Sequence, residues 1–472
     1  MIDWPIDTLV NNAKRTLDDL VHLAMDRTVR LAVTGLNHSG KTVFITSLVH
    51  QLLNGPRSGG LNFFSVVKEN RLRGSKVVLQ PDMDVAAFRY EDFIEPLTGS
   101  GPTWPKATDG LSEIRLALRF QPTGLIHQHL TNAPTLYLDI IDYPGEWLLD
   151  LPMLGMNFAD WSNSIFKLCE GEPRQTLSQE WRQFITDLDR SRPPNEGTLR
   201  RAAKLYTEFL HACRKNDAGL SFLQPGRFFV PGELMGAPLL TFCPLDGNDG
   251  ADAPGSLYQV MAERFEFYKE HVVGKFYKQH FSQFDRQIVL VDVLKALNNG
   301  PDHFRDMQHA LDSILNSFDY GQSGLLSRLF NPKIDKLLFA STKADHVAAN
   351  QHHNLERLVN RLVVKPANEA LFQGVEVKTM ALSSVVCTET VVREHHGRRL
   401  SFVKGVPKGR KKEILLFPGE IPESLPKPSD WENNRFNFQE FKPKPMADLQ
   451  DGALPHMRLD QVLEFLLGDK LS

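Results

Sequence analysis

The eight residues Gly35-Leu36-Asn37-His38-Ser39-Gly40-Lys41-Thr42 constrain this chain more than any other stretch. They follow an apolar run, 29–36, that reads as a short buried strand. They precede 41–53, whose apolar spacing reads as a helix. Glycines at 35 and 40 let the backbone turn so that successive N–H groups face one concavity. The helix adds the positive end of its dipole to the same spot. In such a P-loop, Lys41 reaches the outer phosphates of a nucleoside triphosphate and the Thr42 hydroxyl ligates Mg²⁺. Contacts to the nucleotide are therefore expected from Asn37, His38, Ser39, Gly40, Lys41, Thr42 and Val43.

Two further segments fit the same ligand. The apolar run Leu136-Tyr137-Leu138-Asp139-Ile140-Ile141 ends in Asp142-Tyr143-Pro144-Gly145. A carboxylate at a strand end can hold Mg²⁺, usually through water. Gly145 can offer its N–H to a γ-phosphate, a contact that exists only with the triphosphate and can order a loop. Asp139 is a rival metal ligand, and a plain Asp-Tyr-Pro-Gly turn is the simpler account of the segment. Next, Thr342-Lys343-Ala344-Asp345 follows the apolar run 336–341. A carboxylate at 345 can accept from both N1–H and the exocyclic amine of guanine, a donor pair that adenine lacks. The Lys343 stem can lie along the purine face, and His346 adjoins it. A helix N-cap is the alternative role for Asp345. Ala381-Leu382-Ser383-Ser384 closes the set, with backbone N–H groups at Ser383 and Ser384 placed for the guanine oxygen.

The rest of the chain supplies context. At 472 residues it is too long for one simple core. Strands are expected at 29–36, 112–120, 135–141, 286–293, 336–342 and 376–382, with a hairpin around 63–79. Helices are expected at 5–26, 41–53, 176–190, 197–215, 256–284, 302–318, 347–362 and 459–471. Strands alternating with helices imply an α/β fold with a mostly parallel sheet. The helical block interrupting that rhythm predicts a large insertion. The expected domains are 1–145, the first part of the nucleotide domain; 146–285, a helical insertion; 286–395, the second part; and 396–472, a hairpin plus helix packed on it. A net charge of −3 gives no global field toward nucleic acid, and no specific nucleic-acid partner is expected. Cys169, Cys213, Cys243 and Cys387 have no metal spacing and read as reduced thiols of a cytoplasmic protein. No apolar run reaches the ~18 residues of a membrane span, and no signal peptide is expected. Peripheral attachment to the inner membrane stays open.

The order of P-loop, Asp142…Gly145, Thr342…Asp345 and serine-rich loop resembles the TRAFAC-type GTPase domain over about 28–145 and 286–390. Asp26–Thr42, Trp104-Pro105, Ser112-Glu113-Ile114-Arg115-Leu116, Asp142–Trp147 and Arg286–Leu294 together resemble the bacterial YcjX-like family along the whole chain. That resemblance implies a stress-associated, guanine-nucleotide-binding P-loop GTPase of Gram-negative bacteria, acting with GTP/GDP and Mg²⁺. It names no effector or client. It also implies a switch threonine shortly before residue 112, for which Thr108 fits best and Thr103 is the alternative. Either would add a hydroxyl to the metal set of Thr42 and Asp142. Trp104 either covers the nucleotide or staples this loop to the body.

The catalytic set is expected to be Lys41, Thr108 and Glu146. Glu146 stands where many GTPases have Gln, and a carboxylate beside a γ-phosphate costs Coulomb repulsion, so slow hydrolysis is expected. Thr342 replaces the usual Asn and removes an amide that braces the P-loop. Arg71, Arg73 and Arg89 are the candidate arginine fingers. The spacings of 100 residues from Thr42 to Asp142 and 203 from Asp142 to Asp345 exceed what a compact GTPase needs. The basic run Lys404, Lys408, Arg410, Lys411, Lys412 reads as a solvated hairpin turn, with anionic lipid or RNA contact as the alternative.

Overall fold

The computed structural model describes residues 27–36, 39–99, 101–108, 110–123, 133–215, 218–229, 231–248, 251, 253–319, 334–372, 374–395, 398–433, 436–445 and 454–472. The helix expected over 5–26 lies outside them, as do Asn37 and His38.

In chain order the strands of the main sheet are β1 (Arg27–Gly35), β2 (Leu72–Val78), β3 (Ala86–Ala87), β4 (Ser112–Phe120), β5 (Thr135–Asp142), β6 (Arg286–Val291), β7 (Lys336–Ser341) and β8 (Glu376–Ala381). They lie in the order β2-β4-β5-β1-β6-β7-β8, with β3 beside β4. From β5 through β8 every pairing is parallel. β4 runs antiparallel to β5, and β2 antiparallel to β4. The chain leaves β1 toward β4 and β5, then crosses back to β6 on the other side. β1 is thus the point where strand order reverses, where open α/β sheets bind ligands at their carboxyl edge. A second sheet, β9 (Glu389–His395), β10 (Arg398–Gly405) and β11 (Ile414–Leu416), is antiparallel. It contains the hairpin expected near the C-terminus.

The sheet's two faces are both apolar, and the period-2 alternation sorts them. Leu31, Val33, Leu138, Ile140, Ile288, Leu290 and Leu338 face a core shared with the helix Lys41–Ser58 and the closing helix Leu459–Leu467. Ala32, Ile141, Val289, Val291, Leu337 and Phe339 face a larger core that runs on without a break into the helical stretch 146–285. There Trp161, Trp181, Tyr206, Phe242 and Phe265 are fully buried and pack ring on ring. Helices in this stretch include Phe158–Leu168, Gln179–Thr186, Glu196–Arg214 and Leu257–Tyr268. All four cysteines are buried and free of disulfides. Among the described residues no helix is long and apolar enough to cross a membrane.

The hairpin expected around 63–79 is not formed. Ser65–Lys68 is a helical turn, and β2 pairs with β4, some forty residues on. Alternation identifies a strand but not its partner.

One buried carboxylate strains the sheet. Glu113 on β4 is fully buried, and neither carboxylate oxygen has a hydrogen-bond partner among the described residues. Burial, with Asp139 and Asp82 adding to it, pushes its pKa up to about 7, against a partial offset from Arg30 and Arg115. An acid whose folded pKa is raised binds its proton more tightly when folded. Its ionisation therefore costs stability as pH rises from the ordinary carboxylate range to about 7, and the loss is constant above that. Glu113→Gln is expected to gain on the order of 2–3 kcal/mol at pH 8 and almost nothing at pH 4.5, measured by urea unfolding. An equal gain at both pH values would contradict this.

Candidate functional site

Because β1, β5, β6, β7 and β8 are parallel, their carboxyl ends share one edge. The loops that follow β1, β5, β7 and β8 are the segments singled out in the sequence, and they line one cavity of about 570 Å³. Ser39, Gly40, Lys41, Thr42, Val43, Trp104, Thr108, Gly145, Glu146, Lys343, Asp345, His346, Ser383 and Ser384 are all on its wall. Asp142 lies just behind it, buried.

At the end formed by Gly35, Leu36 and residues 39–42 the backbone is held by its own hydrogen bonds. Leu36 N donates to Leu290 O at 3.0 Å, and Ser39 N to Leu36 O at 3.0 Å. Gly40 has φ 80°, the left-handed region in which a side chain is disfavoured. A Cβ on Gly35 would meet Ser39 Oγ at 2.1 Å, and one on Gly145 would meet Gly35 O at 2.3 Å. The start of the P-loop and the loop after β5 therefore touch backbone to backbone.

Lys41 Nζ is 2.6 Å from Asp142 Oδ1 and donates to Tyr143 O at 2.8 Å. Thr108 Oγ1 donates to Asp142 Oδ2 at 2.6 Å, and Thr108 N to Thr42 Oγ1 at 3.3 Å. Thr42, Thr108 and Asp142 thus converge as a set of hard oxygen donors, the chemistry Mg²⁺ takes. Thr103 instead donates its N–H to Pro96 O, at the end of the helix Tyr90–Thr98. Asp139 points to the sheet, where Arg115 holds both its oxygens at 2.5 and 2.7 Å.

At the other end Asp345 is pinned. Ser383 Oγ donates to its Oδ1 at 2.6 Å, and Cys387 N and Sγ reach Oδ2 at 2.8 and 3.2 Å. A carboxylate oxygen has about two lone-pair sites, so Oδ1 keeps one for a ligand, while Oδ2, which Thr388 Oγ1 also approaches at 3.4 Å, has its donors within the protein. Burial pushes the Cys387 thiol well above its ordinary value, and it stays a donor to Asp345. Burial also lowers the pKa of His346, which stacks edge-on against Phe441 at 5.2 Å.

Lys343 Nζ is held by Asp292 at 2.5 Å and by Glu440 at 2.8 Å. Burial opposes its charge, but the two carboxylates outweigh it and raise its pKa. Burial opposes the Glu440 charge too, yet Lys343 and Lys408 hold that carboxyl at about 2. With its ammonium tethered, the Lys343 stem forms a fixed rail along the cavity. Thr342 directs its N–H and hydroxyl to Val291 O, at 3.0 and 3.5 Å. Trp104 does two things: its ring lines the cavity, and its Nε1 donates to Phe441 O at 2.8 Å.

Several wall residues have no motif to announce them. Lys408, Glu440 and Phe441 come from the C-terminal segment, and Arg214 and Phe229 from the helical layer. Arg214 Nη2 is 2.9 Å from Glu146 Oε1. Arg71, Arg73 and Arg89 are not on the cavity: Arg71 pairs with Glu69, Arg73 with Gln121 and Arg89 with Asp92. The basic turn pairs in part within itself and its surroundings, Lys404 with Glu413 and Lys408 with Glu440, while Arg410, Lys411 and Lys412 are exposed.

The segment after β5 is also clamped to the helical layer. The short helix Gly145–Leu149 is followed by Asp150, whose carboxylate accepts from Gly226 N at 2.8 Å and from Tyr268 Oη at 2.6 Å. Gln224 donates to Leu149 O, and the Arg227 guanidinium sits 3.6 Å over the Trp147 ring. Burial pushes Asp150 up to about 7 despite those two donors.

Strand order, loop placement and cavity together define an α/β P-loop NTPase domain of the GTPase type. The chain belongs to the YcjX-like family, DUF463, whose model matches residues 29–471. It is 44% identical over 466 residues to the "Ras-like GTPase YcjX" of Escherichia coli (strain K12), covering 97% of this chain and 99% of that protein. It is 39% identical over 484 residues to the "Ras-like GTPase YcjX" of Shewanella oneidensis, covering 99% of each.

Proposed function

We propose that this protein binds guanine nucleotide and hydrolyses GTP slowly with Mg²⁺, as a cytoplasmic regulatory protein of a bacterial stress response. One observation carries the reading: Lys41, Thr42, Thr108, Asp345 and Ser383 lie on one cavity, with Asp142 directly behind it. The relatives' name, Ras-like GTPase, agrees with the GTP-binding part of it.

Each end of the cavity has a task. The P-loop amides and Lys41 bind the phosphates, and Asp345, braced by the Ser383 hydroxyl, selects guanine; the Ser383 N–H expected at the guanine oxygen instead donates to Met457 O at 3.1 Å. The tethered Lys343 and the Trp104 ring flank the base. A bound Mg²⁺, held by Thr42, Thr108 and Asp142, would neutralise charge on the outer phosphates. Lys41, paired with Asp142, and Thr108 N, bonded to Thr42 Oγ1, are the groups that would exchange these partners for the phosphates. These exchanges make the loop around Thr108 sensitive to the ligand. In this reading Glu146 orients the attacking water; a like charge about 4 Å from a phosphate costs on the order of 4 kcal/mol at an effective dielectric of about 20, and Arg214 at 2.9 Å offsets only part of it. Slow turnover, on the order of 10⁻² s⁻¹ or below, follows.

We take residues 146–285 as an insertion that carries the nucleotide state outward to a protein effector or client. Asp150, Gly226 and Tyr268 give it a rigid connection to Gly145. Hydrogen exchange with GDP and with a non-hydrolysable GTP analogue is expected to differ in 146–229. Identical patterns would defeat the transmission role.

Phosphate release from GTP and ATP tests the activity itself. GTP is expected to turn over, ATP not, and Glu146→Ala to change the rate. A fast GTP rate that Glu146→Ala leaves untouched sinks the water-positioning role. Binding without any turnover would favour a nucleotide-stabilised scaffold.

A further inference from the structure

We propose that Arg214 is a built-in catalytic arginine, delivered to the phosphate end of the cavity by the helical layer. The inference rests on the reading of this site as a GTPase centre.

The placement is rigid. Arg214 ends the helix Glu196–Arg214, whose Leu199, Ala203, Tyr206, Leu210 and Cys213 are buried along one face. That helix is therefore fixed by its core, and its last residue is aimed rather than free to wander. A cation in the last turn also suits the negative end of the helix dipole. The Arg214 guanidinium lies 5.3 Å from the Phe229 ring centroid, and Phe229 is itself on the cavity wall.

Chemistry singles it out among the cavity's cations. Lys343 and Lys408 are held at the base end by Glu440. Lys41 belongs to the P-loop. Arg214 is the arginine on the wall among the described residues, and it reaches Glu146, the neighbour of Gly145. Gly145 in turn abuts the first residue of the P-loop motif. The Arg214 and Glu146 side chains are 34% and 12% exposed, and both residues are on the cavity wall.

The pair answers the difficulty posed by Glu146. Beside a γ-phosphate a lone carboxylate repels; paired with Arg214 its charge is offset. A guanidinium has five donors in a rigid fork, so it can keep Glu146 and also donate to a γ-phosphoryl oxygen. Charge on the equatorial and bridging oxygens grows in the transition state, and the arginine then acts most strongly. In that step a water oxygen bonds to the γ-phosphorus while the bond to the β–γ bridging oxygen breaks. The electron pair leaves on GDP, and the water protons pass to inorganic phosphate and solvent. Glu146, oriented by Arg214, holds the water.

Arg214→Ala and Arg214→Lys in the full chain test this. GTP and GDP binding in the presence of Mg²⁺ should change by less than about threefold, with unfolding temperature preserved in Arg214→Lys. Single-turnover GTP hydrolysis should fall about 10³-fold in Arg214→Ala. Assembly of a GDP–aluminium fluoride complex, a mimic of the transferring group, should occur in the wild type and be lost in Arg214→Ala. Arg214→Lys should restore little, because a point charge does not reproduce the fork. Wild-type hydrolysis in Arg214→Ala, or an aluminium fluoride complex that forms equally in wild type and variant or in neither, overturns the proposal alone. A wild-type chain that binds no guanine nucleotide overturns the underlying reading with it.

Discussion

Asp345→Asn is expected to exchange the base this protein accepts. Asparagine replaces one acceptor oxygen with an amide donor, which faces the donors of guanine and loses them. Xanthine carries a carbonyl where guanine carries its exocyclic amine, so the same amide would pair with it. Sites built on buried hydrogen bonds reject the mismatched ligand strongly, because their own polar groups are left unpaired. Asp345 is 5% exposed and its rotamer is set by Ser383 and by Cys387 N, so there is little freedom to adapt. GTP affinity should fall roughly 100-fold and xanthosine triphosphate affinity should rise by a similar factor. Titration of both nucleotides against wild type and variant reads this directly. An unchanged preference would return Asp345 to the role of a turn-stabilising carboxylate.

Lys41→Ala should act on both the empty and the loaded protein. Asp142 is 1% exposed, and Lys41 at 2.6 Å is its ion-pair partner. Removing one partner of a buried pair leaves an uncompensated charge, at a cost of about 3–5 kcal/mol. The nucleotide-free protein should therefore unfold at clearly lower denaturant concentration. GTP affinity should also fall, by roughly 100-fold or more, since charge-assisted hydrogen bonds to the phosphates are lost. A further Asp142→Asn change removes the stranded charge. It should recover much of the stability but none of the affinity. Recovery of affinity would mean that Lys41 serves Asp142 and not the ligand.

Much of this molecule is legible in its sequence, for physical reasons. The parallel strands are apolar on both faces, so their runs stand out, and parallel strands put every loop of interest on one edge. Four separate motifs, with 203 residues between Asp142 and Asp345 alone, thereby become one wall. The choice between Thr103 and Thr108 is not legible, because both lie in irregular backbone; only the contacts to Thr42 and Asp142 distinguish them. Asp139 and Asp142 alternate on one strand, and which faces the cavity depends on Arg115 in the neighbouring strand.

Other features leave no local trace. A helix's apolar stripe shows that it packs, but not against what. The helical stretch therefore gives no sign that it shares a core with the sheet. Arg214 lies 68 positions from Glu146 on a helix of ordinary composition, and its neighbour in space is set by how that helix docks. Glu440 and Phe441 reach the cavity from an extended segment with no periodicity to mark it.

An equilibrium titration of the intact protein with GTP and ATP in the presence of Mg²⁺ decides whether this cavity recognises GTP. GTP is expected to bind at least about 100-fold more tightly than ATP. Equal affinities, or no saturable binding of either, would mean that the cavity does not select guanine nucleotide.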